Sequence, residues 1–193
     1  MKLVILGGPG AGKGTQTQLL CRQLGISEIS TGDMLRKAIA SQTDLGRQAQ
    51  VYVEKGELVP DLILIKFIRQ RLVQPDAAKG WLLEGYPRTA FQAEELDFLL
   101  DELSQQLNWA IYLQVPASVM INRSMQRSSN GVVSTEDVRL DDQPEILQRR
   151  INLFHERLPL LLEYYGYHKR LLTINGNQSP IQVQQEILQM INQ

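Results

Sequence analysis

The chain has 193 residues, 43% of them hydrophobic and 21% charged, with a net charge of −1. That size and apolar content suit a single domain over residues 1–193 with a sizeable core. The balanced charge gives no reason to expect nucleic acid or a membrane surface as a partner, and the lone cysteine, Cys21, excludes an intramolecular disulfide and a four-cysteine zinc site.

In chain order, short apolar runs alternate with helical segments. Strands are expected at Leu3 to Leu6, Glu28-Ile29, Trp81 to Leu83, Ala110 to Val115 and Leu171 to Ile174. Such runs read as strands buried on both faces. Helices are expected near 13–24, 31–41, 44–54, 61–73, 89–100, 117–127, 142–165 and 180–192, the seventh kinked or broken at Pro159. This alternation is that of an α/β fold with a parallel sheet and helices on both faces. Residues 31–73 hold three helices without a strong strand between them and read as a helical lobe. Residues 128–138 are polar and turn-rich and read as an exposed flap. Cys21 lies among leucines of the first helix as a buried small hydrophobe. Trp81 and Trp109 flank strands as core residues, and His155 and His168 read as structural. No stretch reaches about 18 uninterrupted apolar residues, so no span is expected. The N-terminus lacks a signal-peptide pattern, and a cytoplasmic location is the expectation.

The first motif with chemistry follows the first strand: Gly7-Gly8-Pro9-Gly10-Ala11-Gly12-Lys13-Gly14-Thr15. Glycines let a loop turn its N–H groups inward, and the following helix start favours an anion. Lys13 adds a full charge there. The residue after the lysine is commonly Ser or Thr, to hold magnesium; here it is Gly14, with Thr15 next. A guanine-reading Asn-Lys-x-Asp is absent, and the chain is short for a motor or transport ATPase, which leaves a small nucleotide kinase. Glu84-Gly85-Tyr86-Pro87-Arg88-Thr89 ends a buried strand with two charges that would be costly to bury unpaired. Arg88 can fork onto phosphate oxygens. Gln92 lies one helical turn on, with an amide able to donate and accept. Ser30 or Thr31 can cap the next helix, with Asp33 in its first turn. Glu57-Leu58-Val59-Pro60, read alone, is a turn before a helix.

Taken in order, Gly7 to Gln16, Ser30 to Arg36, Gly56 to Pro60, Gly85 to Thr89, and Arg123, Arg127, Arg139-x-Asp141-Asp142 and Arg150 resemble the motifs of adenylate kinases, from Lys2 to about Gln178. The resemblance implies a P-loop three-layer fold with a five-stranded parallel sheet, a monophosphate-binding lobe at 30–59 and a short lid at 126–138. It implies reversible, magnesium-dependent phosphoryl transfer from ATP to AMP giving two ADP, by a monomer without structural zinc. ATP would be held by Gly10, Ala11, Gly12, Lys13, Gly14, Thr15, Arg127 and Gln178. AMP would meet Thr31, Arg36, Glu57, Leu58, Val59, Gly85, Tyr86, Pro87, Arg88 and Gln92, with Arg139 and Arg150. Lys13, Arg88, Arg123, Arg127, Arg139 and Arg150 would act on the transferring group. No side chain is expected to ligate a metal directly; Glu84 and Asp33 would reach magnesium through water. Glu84 departs from the family's usual Asp, and Gln178 from a frequent Lys. A pyrimidine monophosphate kinase and a non-catalytic nucleotide-binding protein are the rival readings.

Overall fold

The computed structural model describes residues 1–55, 57, 59–129 and 144–192, without the side chains of 127–129. Five strands form one parallel sheet in the order β2-β3-β1-β4-β5. They are β1 (Lys2–Leu6), β2 (Ser27–Ser30), β3 (Trp81–Glu84), β4 (Trp109–Gln114) and β5 (Leu171–Asn175). The helices are α1 (Lys13–Leu24), α2 (Thr31–Ala40), α3 (Asp44–Glu54), α4 (Asp61–Leu72), α5 (Ala90–Glu102), α6 (Ala117–Ser129), α7 (Pro144–Tyr167) and α8 (Pro180–Ile191). A 3₁₀ turn at Pro75–Lys79 adds an element with no counterpart in the expectations.

Strand periodicity divides the core in two. In β1, Val4 and Leu6 join a cluster with Leu83, Ala110, Ile68 and Leu96, while Leu3 and Ile5 join Leu82, Ile111, Leu20 and Ile187 on the other face. The apolar run is thus buried on both sides, which is why it shows no alternation in sequence. Trp81 is fully buried, its indole donating to Gln105 Oε1 at 3.3 Å, and Trp109 packs partly buried against the second cluster. Cys21 is buried as expected, and burial, reinforced by Glu28, pushes its thiol pKa up to about 12. His155 and His168 lie exposed on and beyond α7.

Of the kink or break expected at Pro159, the break is corrected. The helix runs from Pro144 to Tyr167 without a break at Pro159. Ile151, Leu158, Leu161 and Tyr165 are buried on both sides of the proline, which itself is exposed. Burial of that apolar stripe outweighs one missing N–H, and water can satisfy the carbonyl left unpaired. Beyond α7, Arg170 forks onto Asp97 at 3.0 and 2.5 Å, and the Tyr164 hydroxyl donates to the same carboxylate at 2.6 Å. This clasp ties α5, α7 and the start of β5.

The chain leaves β1 toward β2 on one side, and leaves β4 toward β5 on the other. In such sheets the crevice at the carboxyl ends of the strands, where the order reverses, is the place for a ligand. Opposite Glu84 at the end of β3 stand Ile5 of β1 and Ser30 of β2, so the loops after all three strands emerge together.

Candidate active site

The loop from Gly7 to Gly12 enters α1 through Gly12, which has a left-handed φ of 93° and no side-chain cap. Gly12 has no side chain to cap α1, and the start of a helix favours an anion. Gly10 is required for two reasons. Its φ is 76°, and an added Cβ would come within 2.2 Å of the Met120 carbonyl oxygen and 2.7 Å of Ser124 Oγ on α6. The Lys13 ammonium lies across the loop, donating to the carbonyls of Gly7 at 2.8 Å and Gly8 at 2.9 Å.

A cleft of about 370 Å³ opens beside this loop. Its walls bring together Gly10, Gly12, Lys13, Gly14 and Thr15 with Thr31, Asp33 and Arg36 of α2, Glu57 and Val59, Glu84, Gly85 and Arg88 after β3, and Arg150 of α7. Ala11, next to these, is buried. Residues from five separate stretches thus meet in one volume. Thr31 is buried and donates from Oγ1 to the Glu84 carbonyl at 3.0 Å. Gly85, with φ 86°, fits there because a Cβ would stand 2.3 Å from that hydroxyl. Arg88 donates from Nε to the Gly85 carbonyl at 2.7 Å, which sets the plane of its guanidinium. Arg36 is ion-paired with Asp33 within α2, both half-exposed. Tyr86 and Pro87 are buried and do not line this cleft.

Some expected residues sit differently. Gln92 is fully buried with both ends of its amide engaged: Oε1 accepts from the Arg88 N–H at 2.6 Å, and Nε2 donates to Asp61 Oδ1 at 2.6 Å. Arg123 does not line the cleft; it donates to the Gly176 carbonyl at 3.1 Å, on the loop between β5 and α8. Gln178, on the same loop, donates to the Asn175 carbonyl at 2.9 Å and to Glu186 Oε2 at 2.7 Å. Leu58, Arg139, the side chain of Arg127 and residues 130–138 of the flap expected at 128–138 lie outside the described residues, while the backbone of 128–129 ends α6.

Sequence reasoning missed two residues. Glu28 of β2 lines the cleft, and although it is exposed its carboxyl pKa is raised by partial desolvation, then by Glu84 and Asp33, with Arg22 opposing. A charged residue inside a four-residue strand was the available signal. Asp61, taken only as the start of a helix after Pro60, is the partner of Gln92. Among the described residues no group of three or more His, Cys, Asp and Glu is placed to hold a metal ion. Among them, too, no helix is long and apolar enough to cross a membrane.

A parallel sheet with a phosphate loop after its central strand, facing a second set of cleft residues after β2 and β3, defines the nucleoside monophosphate kinase class of P-loop enzymes. Comparison with known proteins narrows the class. The family model described as adenylate kinase matches residues 5–170. The chain is 59% identical over 191 residues to a protein named Adenylate kinase 2 from Nostoc sp. strain PCC 7120, covering 99% of this chain and 98% of the relative. It is 51% identical over 188 residues to Adenylate kinase 2 of Synechocystis sp. strain PCC 6803, covering 97% and 98%. Against Adenylate kinase 1 of the same Nostoc strain it is 41% identical over 186 residues, covering 96% of each. The chain belongs to the adenylate kinase family. Phosphoryl transfer between ATP and AMP, giving two ADP, is the general activity of that family.

Proposed function

We propose that this chain interconverts ATP plus AMP with two ADP, with the loop at Gly7–Thr15 as the ATP-phosphate cradle and the cleft beside it as the AMP site. What supports the reading is one observation: the uncapped start of α1, Lys13, Arg36, Arg88 and Arg150 border one cleft of about 370 Å³. Donors from separate elements converge there on a space that would take linked phosphates. A phosphate oxygen of AMP needs no strong general base, so the work is positioning and charge stabilisation. Lys13 would exchange its two loop carbonyls for phosphate oxygens. Arg36 would exchange Asp33 for the AMP phosphate, with Arg88 forking onto the same group. Arg150, with Arg127 and Arg139, would close on the transferring phosphoryl. Arg123, held at Gly176, and the Gln178 loop are assigned to the ATP side, Thr31, Val59 and Gln92 to the adenine of AMP. Residues 30–59 would act as the monophosphate-binding lobe and 126–138 as the lid, whose closure excludes water.

Glu84 and Asp33 would hold, through water, the magnesium carried in with ATP, an ion that would offset phosphate charge. The donor set fits that ion through water. The Glu84 Oε2 lies 3.7 Å from the point where a Cβ on Gly14 would stand, at the phosphate end of α1. Asp33 borders the same cleft. Glu84 keeps the charge of Asp and is one methylene longer, so its carboxylate reaches about 1.5 Å farther. A monomer in the cytoplasm, where adenine nucleotides are made and consumed, completes the proposal.

The test is an assay of ATP, magnesium and AMP followed by phosphorus NMR, which should show ADP accumulating to an equilibrium from either direction. Equal or faster turnover with UMP or CMP would overturn the adenine assignment, and no turnover with any acceptor would favour a purely binding role.

A further inference from the structure

We propose that Asp61 is a specificity-determining positioning residue: it locks the direction of the Gln92 amide, and so makes the acceptor site read adenine and reject 6-oxopurines. This rests on Gln92 facing the acceptor base, as proposed above. Gln92 is fully buried and lies between two elements that line the cleft. Arg88, itself a cleft residue, offers its backbone N–H, and Asp61 stands one helical turn before Leu64, another cleft residue, on the same face of α4.

The two contacts decide the amide's orientation. A backbone N–H can only donate, so the atom 2.6 Å from Arg88 N must be the amide oxygen. A carboxylate can only accept, so the atom 2.6 Å from Asp61 Oδ1 must be the amide nitrogen. Turning the amide over would set donor against donor and acceptor against acceptor. Neither contact exhausts the group. An amide has two hydrogens and two lone pairs, so one of each remains for a base edge. Adenine presents a 6-amino donor beside the N1 acceptor. A 6-oxopurine presents the reverse, an oxygen acceptor beside an N1–H donor. An amide free to flip could serve either base; one held by Asp61 and Arg88 serves adenine. The Arg88 contact is backbone and survives substitution, so Asp61 is the side chain on which the lock depends.

The experiment compares kcat/KM for AMP and for inosine monophosphate in the intact protein, with ATP as donor. In Asp61→Ala the KM for AMP should rise roughly tenfold with kcat much less affected, as loss of one partly buried charge-assisted hydrogen bond allows. The ratio of inosine monophosphate to AMP specificity should rise by a similar factor, while the KM for ATP stays. Asp61→Asn, whose oxygen can still accept from Gln92, should recover most of the discrimination. Asp61→Ser suits a helix start yet is too short to reach the amide, and serves if the alanine variant folds poorly. A proportional fall for both acceptors in folded Asp61→Ala or Asp61→Ser would overturn the lock, because a merely structural loss does not change their ratio. Gln92→Leu separates the two readings. If it shifts the ratio and the Asp61 variants do not, the lock fails alone. If it leaves the ratio unchanged, the assignment of Gln92 to the base fails.

Discussion

Arg88 is oriented by a bond its side chain makes away from the ligand. Its Nε donates to the Gly85 carbonyl at 2.7 Å, and Gly85 is held in turn against the Thr31 hydroxyl. A planar guanidinium anchored at one edge presents its other edge in a set direction. Lysine keeps the charge but loses both the anchor and the fork. Arg88→Lys should therefore lower kcat by about 10³-fold or more, within the range of roughly 10³–10⁵ for arginines at a transferring phosphoryl. Stopped-time assays at saturating AMP measure this, and a near-normal kcat would remove Arg88 from the chemistry. Glu28 makes a contrary case. The residue stays exposed, yet its carboxyl pKa is raised, first by partial desolvation at the cleft wall and then by Glu84 and Asp33, so the folded chain holds its proton more tightly than the unfolded chain does. The charged form thus opposes folding above the raised folded value, and the penalty fades as the pH falls to the ordinary carboxyl value of 4.5. Glu28→Gln should raise the melting temperature at pH 7 to 8 and tighten phosphate-bearing ligands in the cleft. The difference in melting temperature should close on acidification. Thermal scans across pH would show it, and a gap that widened toward acid would contradict the sign.

Elements follow the local chemistry closely where one rule acts alone. Thr43, Thr89 and Ser179 each cap a helix through a side-chain oxygen, with the capping box at Ser179 and Gln182 complete. The apolar runs became the strands and the glycine-rich turn became the loop into α1. Local rules failed where tertiary packing competes, as at Pro159, whose helix persists because its apolar face is buried on both sides. That leaves a testable residue of strain-free cost. Pro159 is exposed, so Pro159→Ala restores an N–H to the α7 ladder without disturbing the core. Stability should rise by about 1–2 kcal/mol, less than the roughly 3 kcal/mol propensity gap because alanine also frees the unfolded chain. Denaturant titration reads it, and an unchanged midpoint would mean that neighbours already satisfy the His155 carbonyl.

At the scale of the whole molecule, the candidate site was legible as types and order, not as partnerships. Glycines, lysine and arginines announce phosphate chemistry by what they are. That Gln92 faces Asp61, 31 positions earlier in the chain, depends on how α4 and α5 pack, which no local spacing carries. The same holds for Glu28, brought beside Glu84 by the pairing of β2 with β3, and for Arg123, drawn to Gly176 rather than to the cleft. Residues that meet only through topology are invisible to motif reading. They are also what makes the cleft a property of the entire fold: its walls come from the first, second, third, fourth and seventh helices and two strand ends. A ligand seated there touches elements that would otherwise separate on unfolding, such as α7 and the α3 end, joined by the Arg149 bond to the Lys55 carbonyl at 3.2 Å. Binding only to the folded chain at a hundred times Kd stabilises by about 2.7 kcal/mol. For a chain of this size each kcal/mol moves the melting temperature by about 2–4 °C. Saturating AMP alone should thus raise it by about 5–10 °C, and AMP with a non-reacting ATP analogue by more than either singly. Differential scanning calorimetry decides the matter. If the two shifts were mutually exclusive, so that the pair together gave no more than the larger alone, the nucleotides would be competing for one subsite rather than filling two.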